Sequence, residues 1–209
     1  MLFQTRLTLA AAVAVAITAP SMAAITVFDS RATFNIWGQL QNDMNLAHES
    51  FASVTPAYTQ STTFVGELPA DANWRASALG GLGSDGNTLR TLQAGRAIQF
   101  DFDSGKVYGV GADFFYANAQ GVAVSGMVVL TLSDGTQFVR SVSGTDTFAG
   151  FWSDGAAITS LKVTPVGVAG NNNFLGTDDM DIGFVPAPGA LALLCTAGVG
   201  LGGRRRRTS

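Results

Sequence analysis

The chain has 209 residues, a formal net charge of −3, 13% charged and 47% hydrophobic side chains, 25 glycines and 14 phenylalanines. That balance excludes disorder, which needs low hydrophobicity and high charge, and it suits one all-β domain with many tight turns and appended end segments. Five of the twelve cations (Arg6, Arg204, Arg205, Arg206 and Arg207) lie in those end segments, so the middle carries −8 and offers no footprint for a nucleic acid.

The first segment is an address. Arg6 precedes an apolar run over residues 7–19, and Pro20 and small residues follow. This is the pattern of a secretory signal over residues 1–23, with Ser21 and Ala23 at the −3 and −1 positions of the cut. The run is short for a membrane span, which needs about 20 apolar residues.

The body, residues 24–184, contains no linker and no internal repeat. Residues 24–29 read as a first strand. Ser30 then stands where a helix N-cap would, with Phe34 and Trp37 one turn apart on one face. Polar stretches follow. They include His48 and Glu49, and Trp74 in ADANWRAS, outside any clear strand. In AIQFDFD, Ile98, Phe100 and Phe102 share one face, the period of a half-buried strand. Val110, Ala112 and Phe114 are in phase in the next run. Two β-rich runs flank Asp134-Gly135, a strong hairpin signal. The same theme recurs around Asp154-Gly155, with Leu161 and Val163 inward, and FLGTDDMDIGFV should be the last strand. About eight to ten short strands at this spacing predict a β-sandwich, jelly-roll-like.

Few residues point to catalysis. His48 is the only histidine, and its neighbour Glu49 should point to the opposite face of a strand. No G-x-S-x-G elbow supports a triad, and one histidine without a body cysteine rules out a histidine-rich zinc site. No catalytic residue is assigned. The alternative is a secreted polysaccharide-active hydrolase, which would need two carboxylates held in a cleft. A hard cation is a better match. Asp178 and Asp179 are adjacent like charges, which call for screening, and with Glu49 in HESF they make the candidate ligands of a structural calcium. The arrangement resembles jelly-roll carbohydrate modules in which an early Glu and a late-strand Asp share such an ion. For glycan binding, which needs exposed rings beside polar groups, Trp37, Trp74, Trp152 and Tyr116 are the candidates, and Trp74 in its polar surroundings is preferred.

The tail combines three parts: Val185, Pro186, Ala187 and Pro188; an apolar, glycine-diluted run over 190–203; and the cluster Arg204, Arg205, Arg206 and Arg207. Arginines after an apolar run keep that flank in the cytoplasm, which places the acidic body on the other side of the membrane. The lone Cys195 lies inside the run, so the exported body would have no disulfide. The order of parts resembles the PEP-CTERM sorting signal of Gram-negative bacteria, with Ala187 where that family most often has Glu. The resemblance implies a transmembrane helix over residues 190–203 and recognition by an exosortase that cuts near the Pro motif. It also implies a transient anchor in the inner membrane, then residence at the cell surface or in a biofilm matrix of exopolysaccharide. Within the body, Asp178-Asp179-Met180-Asp181-Ile182-Gly183, just before the sorting segment (185–209), resembles the strand that closes the ectodomain of many such proteins. The expected function is therefore that of an exported envelope or matrix protein without catalytic activity, binding glycans.

Overall fold

The computed structural model describes residues 24–185 except 42–43, 53–58, 67–72, 145–146 and 168–171. The signal segment, Cys195, Pro186, Ala187, Pro188, the apolar run and the arginine cluster lie outside the described residues. Among the described residues no helix is long and apolar enough to cross a membrane.

The chain is all-β, as its alternating runs predict. Among the described residues thirteen antiparallel strands hydrogen-bond into one sheet that curls over on itself as a sandwich does. One layer runs β1 (Ile25–Phe28), β11 (Thr147–Ser153), β7 (Val107–Ala117), β13 (Phe174–Phe184). On its free side β13 is shared between β5 (Thr88–Thr91) and β2 (Asn45–Glu49). The other layer runs β6 (Ile98–Phe102), β12 (Ser160–Val166), β9 (Gly126–Leu132), β10 (Gln137–Val142). A short β8 (Ala123–Val124) pairs with β7.

The long strand β4 (Trp74–Ser84) belongs to both layers. Its start pairs with β6 and its end with β5, and between them Gly80 and Gly81 adopt φ of 88° and 94°. Only glycine takes two such left-handed positions without strain, so this is where the sheet turns the corner. β3 (Thr59–Gly66) follows β4 round the bend with a bulge between Ser61 and Thr63. The layers close through the core: Phe138 of β10 stacks against Phe151 of β11 at 4.9 Å. The Tyr116 hydroxyl of β7 donates to the Met127 carbonyl of β9 at 2.7 Å.

Strand count is where the reading falls short. β2 to β5 were hidden in polar or glycine-rich sequence, and β8 is only two residues long. Asp134-Gly135 is a hairpin turn as expected, with Gly135 at φ 87° and Asp134 accepting from the Thr136 backbone. Asp154-Gly155 is not. β11 and β12 do not pair, and the segment between them carries the chain from one layer to the other. Asp154 instead accepts from the Ala24 N–H, fastening the first described residue.

Among the described residues the single helix, α1 (Arg31–Leu40), lies on the outer face of the β11–β7–β13 layer. Ser30 precedes it with cap-like dihedrals, but its side chain makes no capping bond; its carbonyl accepts from Phe34 N and Thr33 Oγ1. Phe34 is fully buried among Phe28, Phe148 and Trp152, with edge-to-face ring distances of 5.5 to 5.7 Å. The rings fit because the strands beneath are bare: a Cβ on Gly109 or Gly183 would stand 2.2 or 2.3 Å from Trp152. Each fully buried ring is worth about 2 kcal/mol, so this second small core holds the helix without strong helix propensity.

Candidate functional site

Three places carry chemistry-bearing side chains. The first is the bulge of β13. Asp178 lies opposite Asp113 of β7 and points outward; at Asp179 the backbone turns to φ 45°; Met180 returns to the core and Asp181 points outward again. Arg31, at the first turn of α1, reaches into this bulge. Its guanidinium bonds Asp113 at 2.8 Å, Asp181 and the Asp179 carbonyl, and lies 5.0 Å from the Phe148 ring. His48 sets Nδ1 at 2.8 Å from Asp181 and Nε2 at 3.3 Å from Asp179. Partial burial opposes the Arg31 charge, but the Asp113 hydrogen bond and the charges of Asp181, Asp113 and Asp179 outweigh it and raise its pKa. At Asp178 it is the charged form that is disfavoured. Burial first, then the neighbouring charge of Asp179, raises its carboxyl above the usual range, although it accepts the Asp179 N–H.

The adjacent charges of Asp178 and Asp179 call for a cation, but the guanidinium that reaches this strand bonds the side chains of Asp113 and Asp181 and, at Asp179, the backbone carbonyl. Glu49 does reach this strand, since it pairs directly with Met180. It shares the inward side of Met180, whereas Asp178 points outward, so one calcium ion cannot take both. The Glu49 carboxylate instead accepts the Phe51 N–H at 2.8 Å and the Trp74 indole N–H at 3.2 Å. It thereby holds Phe51 at φ 56° with its ring edge-on to Trp74. Among the described residues no three His, Cys, Asp or Glu side chains are grouped to hold a metal. The expectation that His48 and Glu49 face opposite ways is met, and neither His48 nitrogen is left clear of a carboxylate.

Trp74 needs the second correction. It is the first residue of β4 and wholly buried, packed on Phe51 and Phe100, so it cannot stack on a sugar. Its flanking polar residues misled. In W-R-A-S-A the apolar positions alternate with Arg75 and Ser77, which puts the indole inside. Tyr116 and Trp152 are core rings as well.

The second place is the remaining aromatic candidate. Trp37, at the C-terminal half of α1, is 39% exposed, with one side tilted against Phe28 at 6.0 Å. It opens on a pocket of 160 Å³ shared with Thr26, Gln41, Tyr108 and Asp154, floored by Trp152. The side chains of Gln41 and Tyr108 have no hydrogen-bond partner among the described residues, and Asp154 uses one oxygen on Ala24. A half-exposed indole beside an unpaired amide, a phenol and a carboxylate is the arrangement that holds a sugar: the ring covers its C–H face and the polar groups meet its hydroxyls. Tyr108 and Gln41 escaped the sequence reading because only the helix–strand packing brings them to Trp37. The third place is the outer face of the β6–β12–β9 layer.

No family model matches the chain, and no curated protein does. Among solved structures, a family 29 carbohydrate-binding module overlaps 66% of this chain and 89% of its own, at 10% identity and a TM-score of 0.37. One such module complexed with cellulohexaose gives 10% identity and a TM-score of 0.36 over 66% and 91% of the two chains. A family two carbohydrate esterase from Cellvibrio japonicus gives 9% and 0.39, over 69% of this chain and 36% of its own. Likenesses this loose say nothing of what this chain binds.

Proposed function

We propose that the protein is an exported, surface-sorted envelope or matrix component without catalytic activity, and that its Trp37 pocket holds a neutral sugar unit of an exopolysaccharide. The carrying observation is the pocket itself: one half-exposed indole with unpaired polar groups of Gln41 and Tyr108 around it. The signal pattern over residues 1–23 and the PEP-CTERM-like tail support the route of export. The carboxylates Asp113 and Asp181 are engaged by Arg31, which favours binding over hydrolysis.

Trp74 is buried away from the pocket, so a ligand-dependent change in indole emission reports Trp37 and the Trp152 ring that floors the same pocket. Titration with a panel of neutral oligosaccharides should shift that emission, and Trp37→Ala should weaken binding about tenfold or more. An unresponsive wild type, or a variant that binds as well, overturns the reading. The sorting half is tested by intact mass. In a host that has an exosortase, the mature chain should lack residues 1–23 and 190–209, and a surface protein that keeps the latter overturns it.

A further inference from the structure

The outer face of the second layer is uncovered by any described element. Across it, Thr63, Ser77, Gln99, Lys162, Thr131 and Gln137 stand directly opposite one another on six successive strands. All six are polar and all reach solvent. With strands about 4.8 Å apart the row is about 24 Å long. Beside it opens a hollow of 580 Å³ whose wall is Arg96, in the turn before β6, and whose floor includes Gln99, Lys162 and Thr164.

Charge is what distinguishes this face. In a body with seven cations against fifteen acidic residues, a cation should find a carboxylate. Lys162 and Arg96 have none among the described residues, and Arg96 gives only its Nε–H, to Gln93. The carboxylates of this face lie at its other end and are engaged: Asp101 accepts from Gln99 at 2.9 Å, and Asp103 lies 3.9 Å from Arg75. A straight row of donors and acceptors fits an extended polymer better than a compact metabolite. Two unpaired cations beside it, one of them a guanidinium fork, fit carboxylates along that polymer.

We infer that this face binds an acidic polysaccharide, a uronic-acid chain laid across the strands, independently of the Trp37 pocket. The two sites lie on opposite layers and share no residue. Calorimetry of the full chain with oligogalacturonate and with its methyl ester, which keeps the backbone but loses the charge, tests this. The acid should bind about tenfold more tightly than the ester. The double variant K162Q/R96Q should lose most of that preference with an unchanged melting curve, because both side chains are exposed. Trp37→Ala should leave it intact. Equal binding of acid and ester, no binding of either, an unaffected double variant, or loss in Trp37→Ala each overturns the inference. Failure of the neutral-sugar titration leaves this inference standing, so the two readings fail separately.

Discussion

The two layers of the sheet face outward in opposite ways. On the β11–β7–β13 layer the outward positions beneath the helix are glycine, aromatic or charged, and the helix and its arginine engage them: Gly109 and Gly183 lie under Trp152, Phe148 under Arg31, Asp113 and Asp181 against the guanidinium. On the β6–β12–β9 layer they are Gln99, Lys162 and Thr131, and they meet water. The inward faces are built alike, by strict alternation of large apolar residues. A sheet's inner face thus reports the fold, and its outer face reports what lies on it: a helix in one case, water in the other.

The contrast can be broken most severely under Trp152. Gly183→Val places atoms where the indole sits and should cost about 3 to 4 kcal/mol in urea unfolding, because ring and helix must both shift. Thr131→Val, outward on the open layer, should stay within about 0.5 kcal/mol. Comparable losses at the two positions would erase the distinction.

Next comes the guanidinium. Arg31→Met leaves the Asp181 carboxylate, whose side chain is 6% exposed, with His48 but without its guanidinium, removes the Asp113 partner as well, and should cost about 3 kcal/mol. Asp181→Asn in the same background should recover part of that loss, and a double-mutant cycle measures the coupling. Additive losses would mean that the contact is incidental.

The smallest effect belongs to the link between the layers. Burial pushes the Tyr116 hydroxyl up to about 12, against the Val166 backbone. The folded phenol resists ionisation more than the unfolded one, so its contribution is intact below pH 10 and is lost as pH rises through about 12. It should amount to about 2 kcal/mol, read as the difference in pH dependence between wild type and Tyr116→Phe. Parallel curves for the two proteins would refute it.

How much of this was legible follows from what each contact depends on. Ile98, Phe100 and Phe102, or Leu161 and Val163, announce their strands because period two is written locally, and Asp134-Gly135 announces its hairpin for the same reason. β4 was missed because its two bend glycines interrupt the alternation that begins at Trp74. The like charges at Asp178 and Asp179 called for a cation on that pair, whereas Arg31, about 150 positions away in sequence and delivered only by the docked helix, bonds Asp181 and the Asp179 carbonyl instead. Trp37 was visible as a candidate. Its partners Tyr108 and Gln41 were not, since a pocket between a helix and a strand has no local pattern.

One feature of the strand register bears on how the molecule would hang. Thr26, Trp152, Gly109 and Gly183 stand side by side on four neighbouring strands. The chain therefore enters and leaves at one rim, its two threads about 14 Å apart at the usual strand spacing. The Trp37 pocket opens on that rim, through Thr26, Trp152 and Asp154. While the proposed tail anchor after Val185 is still in place, before processing, the molecule is hung by the edge that carries the Trp37 pocket. That pocket then faces the surface from which the protein hangs, and the flank that carries Lys162 and Arg96 is left to sweep the space alongside.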